Sequence, residues 1–294
     1  MLVGKGKKWI GLLLSAALIT VTAACSQTTG AGETSTLERA KAEGKIVIGF
    51  ANENPYAYET ADGTLTGEAV EVAKAVFAEL GIDEVEGKLV DFGSLISGLQ
   101  AQQFDAITAG MFVNPDRCAQ VAFADPEYRV GEALGVKPGN PKNLRSYEDI
   151  AADKSAKVGV MVGAIEIEYL KTAGVADDQI EILNDQPAVV AALNAGTIDA
   201  VTMTGPSLQA FIDSGQATEL ERVADFKQPV VDGEEVWGYG ATAFRLGDEA
   251  FAEAFNAELK KLKDSGRLLE IIGEFGFTEA ELPGEMTAAQ LCGE

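Results

Sequence analysis

The stretch Gly110-Met-Phe-Val-Asn-Pro-Asp-Arg117-Cys118 sets an aromatic ring, a turn, a guanidinium and a thiol within nine residues. Gly110 has access to backbone conformations closed to other residues, Pro115 has its φ fixed, and Asn114 before it is driven toward extended geometry, so the stretch reads as a stiff loop. Arg117 offers a permanently charged planar fork that matches a carboxylate, and Phe112 a π face that attracts a cation. This combination suits capture of a small zwitterion. Taken alone it also fits an ordinary turn with a core Phe and a surface Arg, and the rest of the chain has to decide.

A length of 294 residues with 47% apolar content is enough for two lobes, each with its own core. A formal charge of −23 argues against binding a nucleic-acid backbone, which needs clustered Lys and Arg. The chain has no histidine. Ser-His-Asp and Cys-His catalysis and every His-containing metal site are thereby removed, leaving carboxylate, Lys, Tyr or bare Ser chemistry. The expectation is a binding protein with no catalytic residues, no cofactor and no metal.

The elements that would position the loop follow from periodicity. Residues 45–50 read as a strand, 58–66 as a hairpin around Asp62-Gly63, and 68–80 as a helix with Val70, Ala73, Val76, Phe77 and Leu80 on one face, stopped by Gly81. A strand over 84–91, a helix over 94–102 and a strand over 105–108 complete a βαβαβ pattern, which predicts a mostly parallel sheet with helices on both faces. In such sheets ligands sit beyond the carboxyl ends of the strands. Glu53, Tyr56, Phe92, Phe112 and Arg117 should therefore converge on one rim, whereas Phe104 and Phe123 read as core.

Residues 132–137 read as a strand leaving this lobe, and Pro138-Gly-Asn-Pro141 punctuates the exit. The pattern then restarts, with strands over 157–160, 180–183 and 199–203 and helices over 165–173, 186–195 and 207–214. A strand over 239–244 returns to the first lobe, followed by helices over 248–265 and 267–275. The expected architecture is α/β, with a first lobe of residues 45–136 and 240–294, a second lobe of 137–239, and two crossovers forming a hinge over a cleft. Trp237, beside the return crossover, reads as a hinge packing residue without a ligand role.

Lys5, Lys7 and Lys8 precede an apolar run from Trp9 to Ala24, the pattern of a secretory signal over residues 1–24. Its end, Thr22-Ala-Ala-Cys25, resembles the lipobox of bacterial lipoproteins, although Thr22 stands where an aliphatic residue is usual. That resemblance implies export, acylation at Cys25, a flexible tether over 25–44, and residence on the outer face of the cell membrane or in the periplasm; plain cleavage near Ala24 is the other reading. With Cys25 assigned to lipid, Cys118 and Cys292 remain, an even pair in an oxidising compartment. A disulfide would tie the tail to the loop; two unrelated thiols are the alternative.

The layout resembles the solute-binding proteins of ABC importers, specifically the polar amino-acid class, whose two-lobed fold is the type II periplasmic-binding architecture. The resemblance rests on Ile48-Gly-Phe-Ala-Asn-Glu-Asn-Pro-Tyr56, Gly67-Glu-Ala-Val-Glu-Val72, Asp105-Ala-Ile-Thr-Ala-Gly-Met111, Arg117, Val158-Gly-Val-Met-Val-Gly163 and Gly196-Thr-Ile-Asp-Ala200. Thr204 stands where amino-acid binders typically carry an aspartate for the α-ammonium, and Ala164 where a hydroxyl often meets the carboxylate, leaving backbone N–H groups there. Within the class the chain looks like the ectoine and hydroxyectoine subgroup, on the strength of Asn52-Glu53, the 110–118 stretch, Thr204 and the tail from Leu282-Pro-Gly-Glu-Met-Thr287 to Cys292.

That likeness implies an aromatic box of Tyr56, Phe92 and Phe112 around a cyclic amidinium and Arg117 on its carboxylate. Glu53 and Glu166 would accept from the ring N–H groups and Thr204 would stand on the opposite lobe. Glu166 has a rival reading, as a surface residue on a first helical turn near Glu168. The implied partners are the small zwitterion and the importer's membrane subunits, with the binding protein a lipid-anchored monomer. The alternatives are a binder of another zwitterion, a polar amino acid or a betaine, and an exported dehydratase resembling cyclohexadienyl dehydratase.

Overall fold

The computed structural model describes residues 35–293 apart from 216 and 232. The leader and the lipidation candidate Cys25 lie outside the described residues. Helix α1 (Thr36–Glu43) corrects the expected tether to residue 44: Ser35 caps it by accepting from the Glu38 N–H at 3.2 Å, and Arg39 pairs with Asp105 at 2.5 Å. The capping serine, this ion pair, the Thr36 hydroxyl donating to Asp248 at 2.8 Å, and Ala40 and Leu37 packed in the core hold the segment on the first lobe.

The first lobe continues with β1 (Lys45–Phe50), the hairpin β2 (Tyr58–Glu59) and β3 (Leu65–Thr66), α2 (Glu68–Glu79), β4 (Glu84–Leu89), α3 (Leu95–Gln100), β5 (Ala106–Ile107), α4 (Pro115–Cys118) and β6 (Val121–Phe123). The crossover β7 (Tyr128–Val130) leads to β8 (Glu132–Val136), α5 (Tyr147–Ala152), β9 (Val158–Met161), α6 (Glu166–Thr172), β10 (Ile180–Leu183), α7 (Gln186–Ala195), β11 (Ala200–Thr204), α8 (Gly205–Asp213), β12 (Glu221–Arg222) and the ribbon β13 (Val230–Val231) and β14 (Glu234–Glu235). The return crossover β15 (Gly238–Gly240) is followed by β16 (Ala243–Arg245), α9 (Glu249–Asp264), α10 (Arg267–Gly273) and α11 (Ala288–Cys292).

Each lobe is built on a five-stranded sheet, β4-β1-β5-β16-β6 in the first and β10-β9-β11-β8-β12 in the second. In each, three parallel strands are joined by antiparallel ones, β16 beside β5 and β8 beside β11. The period of two along β1 sends Ile46, Ile48 and Phe50 against α2, α9 and α10, and turns Val47 toward α3. Phe104 and Phe123 lie in that second layer, as expected of core residues.

One boundary is corrected. Residues 132–136 do not end the first lobe: β8 pairs with β11 from Glu132↔Thr204 to Val136↔Ala200, inside the second lobe's sheet. The hinge lies just before it, where β7 and β15 pair antiparallel through Tyr128↔Gly240 and Val130↔Gly238. Trp237 joins this hinge, with the Arg129 guanidinium 5.0 Å from its ring centre. Gly238 must be glycine, because a Cβ there would fall 1.8 Å from the Phe112 ring. The disulfide Cys118–Cys292 is present and seats α11 behind α4. By closing a loop of 174 residues it stabilises the fold by about 5 kcal/mol in a chain-entropy account.

Beside the hinge, Glu68 at the start of α2 and Glu127 just before β7 are both fully buried. Glu127 accepts from the Thr242 hydroxyl at 2.8 Å and its N–H at 3.1 Å, while neither Glu68 oxygen has a partner among the described residues. Burial pushes Glu127 up to about 7, and burial together with the Glu127 charge pushes Glu68 well above the usual carboxylate range. Both groups are raised in the fold, so their contribution is fully present below the unfolded carboxylate value and is lost as pH rises toward 7 and beyond. Thermal melts of Glu68→Gln should match the parent near pH 5 and exceed it by about 3 °C at pH 8; a gain of equal size at both pH values would rule out this origin.

Candidate ligand-binding site

The loop that carries Arg117 is built by local rules. Gly110 has φ +67°, Asn114 is extended and accepts the Arg117 N–H at 2.9 Å, and Pro115 opens the single turn of α4. Capping therefore sets the direction in which Arg117 leaves the backbone. Its guanidinium donates to the Phe112 carbonyl at 2.8 Å and lies 5.6 Å from the Phe92 ring centre. It also crosses the cleft to the Gly163 carbonyl at 3.1 Å.

Glu53, Tyr56, Phe92, Phe112 and Arg117 all lie beyond the carboxyl ends of β1, β4 and β5, as the βαβ pattern requires, and all are buried. The aromatic groups are not a simple three-walled box. Tyr56 stacks on Tyr128 with ring centres 5.0 Å apart, and Tyr128 meets Phe112 edge-on at 6.5 Å. Tyr128, held by its hydroxyl donating to the Gly110 carbonyl at 2.9 Å, thus joins two of the predicted rings, while Phe92 stands on the Arg117 side.

From the second lobe, Glu166 opens α6 and is buried, whereas Glu168 is exposed, so the surface reading of Glu166 is set aside. Thr204 caps α8 through the Ser207 N–H at 3.4 Å and accepts the Tyr56 hydroxyl across the cleft at 2.8 Å. At Gly163-Ala164, where backbone N–H groups were expected to be available, the Ala164 N–H is already bonded to the Met161 carbonyl at 3.2 Å.

Sequence reasoning missed Gln186, Ser207 and Glu132. Gln186 donates to Glu53 at 2.6 Å and the Ser207 hydroxyl does so at 3.3 Å. Both open helices just past β10 and β11, so the strand-end rule applied to the first lobe would have found them. Glu132 was hidden by its assignment to a strand of the wrong lobe: β8 runs antiparallel, so its first residue, not its last, lies at the cleft. The Glu132 backbone is clamped by Gln228, whose side chain accepts its N–H at 2.8 Å and donates to its carbonyl at 2.9 Å.

The four contacts from Tyr56, Gln186, Ser207 and Arg117 hold the lobes closed over buried Glu53, Glu132 and Glu166, with Glu166 and Glu53 near the Arg117 guanidinium. Burial, then the Glu166 charge, pushes Glu53 up to about 8. Burial lowers Arg117 despite the neighbouring carboxylates. A buried cluster of this composition can bind a polar solute, orient it and exclude water. Among the described residues no group of His, Cys, Asp and Glu is placed to hold a metal.

Two α/β lobes, two crossover strands and a buried charged cluster between them define a two-lobed binding protein of the type II architecture. Residues 46–278 match the family model of bacterial extracellular solute-binding proteins, family 3, and the chain belongs to that family. A probable amino-acid ABC transporter periplasmic-binding protein of Sinorhizobium fredii is 31% identical over 87% of this chain and 86% of its own length. The crystal structure of EhuB in complex with hydroxyectoine is similar with a TM-score of 0.79 and 36% identity, over 87% of this chain and 97% of that one. An ancestral amino acid-binding protein described as a precursor of cyclohexadienyl dehydratase shares the fold with a TM-score of 0.71 at 23% identity, over 82% of this chain and 99% of that one.

Closure depends on Gly163, which has φ +78° and would place a Cβ 2.6 Å from the Gly93 Cα on the opposite lobe. Gly163→Ala should destabilise folding by only about 1–2 kcal/mol, the price of a left-handed alanine, yet weaken by at least about tenfold any ligand that closes the parent. Small-angle scattering at saturating ligand should show a larger radius of gyration than the parent's; an equal radius would refute the steric account.

Proposed function

We propose that this protein is the solute-binding component of an ABC importer for amino-acid-like solutes and that its ligand is ectoine or hydroxyectoine. The observation that carries this reading is the joint burial of Tyr56, Phe92, Phe112 and Arg117 at one strand-end rim, facing Glu166 and Thr204. Delocalised amidinium charge suits aromatic faces at about 0.5–2 kcal/mol per contact, and the planar fork of Arg117 suits a carboxylate. Thr204 supports the same choice. It stands where amino-acid binders carry an aspartate for the α-ammonium, and its hydroxyl is already engaged with Tyr56 and the α8 cap. The likeness to EhuB with hydroxyectoine bound points the same way.

In this mechanism the solute bridges the lobes, with its carboxylate on Arg117 and its ring N–H groups on Glu53 and Glu166. It favours the closed form by its differential affinity for the two states. The importer's membrane subunits then read closure, and the protein works as a monomer tethered through an acylated Cys25. Replacing Cys25 by Ser should move the exported protein from the membrane fraction to the soluble one; unchanged partitioning would refute the anchor.

Calorimetric titration against ectoine, hydroxyectoine, glycine betaine, arginine and glutamine tests the ligand. Binding of either ectoine is expected to be the tightest of the panel, and failure of both to bind overturns the assignment. Arg117→Ala should weaken the bound ligand by about 30-fold or more, the loss typical of truncating one member of a buried charge pair, with a much smaller effect on the melting temperature. Steady turnover of a panel member would indicate an enzyme instead.

A further inference from the structure

Gln186 opens α7, and packing within its own lobe does not explain its burial. Asp185 before it and Pro187 after it are exposed, whereas Gln186 is 5% exposed. Val189, Val190 and Leu193 supply the core face of the helix, and the Gln186 side chain leaves that core to cross the cleft. Its Nε2 donates to Glu53 Oε1 at 2.6 Å, joining residues of opposite lobes. The Ser207 hydroxyl, from the first turn of α8, donates to the same oxygen at 3.3 Å. Both donors fall on Oε1, which leaves the Oε2 of Glu53 for another partner.

The far end of the Gln186 amide is an orphan. Its Oε1 is buried and accepts no hydrogen bond among the described residues. Oε1 and Nε2 are bonded to one planar carbon, so this acceptor stands beside Glu53 where the lobes meet. Buried amides ordinarily use both ends, and a buried acceptor without a donor is costly. Nor can the amide turn round when a cation lies on Glu53. An ionised carboxylate has no donor of its own, so only the NH2 end can face it. Burial raises Glu53, and a cationic ring on its free oxygen restores the charged form. Oε1 is thereby held toward whatever lies next to that cation.

We propose that Gln186 Oε1 accepts the hydroxyl of the solute and makes this protein selective for hydroxyectoine over ectoine. The proposal rests on the ectoine reading and chooses between its two ligands. The choice follows from matching donors to acceptors. The carboxylate of either solute takes Arg117, and the amidinium ring has one N–H for Glu53 and one for Glu166. Ectoine then has no donor left. Hydroxyectoine carries one more, its ring hydroxyl, and Gln186 Oε1 is a buried acceptor beside a group that already holds the ring. In the closed form ectoine would leave Oε1 unpaired, and a site whose buried polar group is built for a hydroxyl rejects the analogue lacking it. Gln186 is thus a specificity-determining residue as well as the positioning partner of Glu53.

The two tasks separate in titration. Calorimetry of the parent at pH 7 should give an affinity for hydroxyectoine at least about fivefold above that for ectoine, the loss expected from one unpaired buried acceptor. Equal affinities, or a preference for ectoine, would overturn the proposal and leave the ligand assignment intact; binding of neither solute would overturn both. Gln186→Met keeps the length of the side chain but offers neither an N–H donor nor an amide oxygen. It should bring the two affinities to within about twofold of each other. A residue that only positioned Glu53 would weaken both solutes in the same ratio, so an undiminished preference in this variant would overturn the direct contact. Ser207→Ala removes the second donor to Glu53 without altering the Gln186 amide, and should weaken both solutes while keeping the preference; its loss there would overturn the assignment to Gln186. Because the parent titration stands alone, a variant that fails to fold does not remove the test.

Discussion

Burying a guanidinium between two lobes sets the terms for most of this molecule. Arg117 is withdrawn from water, which raises the free energy of its charged form unless carbonyls, π faces and carboxylates replace the lost hydration. The Phe112 and Gly163 carbonyls and the Phe92 ring supply part of that replacement, and one of the three belongs to the opposite lobe. Opening the cleft would return Arg117 to solvent, whereas closing it brings Glu166 of the second lobe beside the guanidinium. In the proposed mechanism a solute carrying a carboxylate and a cation completes this set as the lobes close, which makes binding and closure one event in electrostatic terms.

The hinge is shaped by the same site. Tyr128, which links the Tyr56 and Phe112 rings, lies on one crossover strand, and Gly238 and Gly240, which give the Phe112 and Tyr128 rings room, lie on the other. Aromatic packing in the chamber therefore rests directly on the β7–β15 pair. Any rotation of the lobes about these strands must carry the rings with the first lobe while withdrawing Thr204, Gln186 and Ser207. Glu68 and Glu127 sit just outside this hinge, buried with hydrogen-bond partners enough for only one of them to be charged at low cost. In an acidic chain with no histidine, the carboxyls that burial raises are glutamates, Glu53, Glu132 and Glu166 between the lobes and Glu68 and Glu127 beside the crossover.

The disulfide gives the C-terminal segment a part in the site. Cys292 at the end of α11 meets Cys118 one residue beyond Arg117, and the Ala288 N–H bonds to Asp125 at 2.9 Å. The turn that aims Arg117 is consequently backed by a covalent link and a helix, as well as by its own asparagine cap. Long polar side chains in binding sites lose affinity when their supports are loose, and this arrangement limits that freedom.

By itself the sequence determined the elements and one side of the cleft. Alternating apolar residues, glycine stops and asparagine or serine caps act over a few neighbours, so β1, α2, β10 and α7 were legible almost to the residue, and the strand-end rule located Glu53, Tyr56, Phe92, Phe112 and Arg117. Tertiary structure alone decided which sheet received residues 132–136, because pairing β8 with β11 is a contact between segments far apart in the chain and carries no local signature. With that strand went Glu132, whose burial at the cleft end of the second lobe's sheet no local pattern marks. The strand-end rule reaches Thr204, Gln186 and Ser207 one by one, but their pairing with the Tyr56 hydroxyl and the Glu53 carboxylate exists only when two independently folded lobes meet.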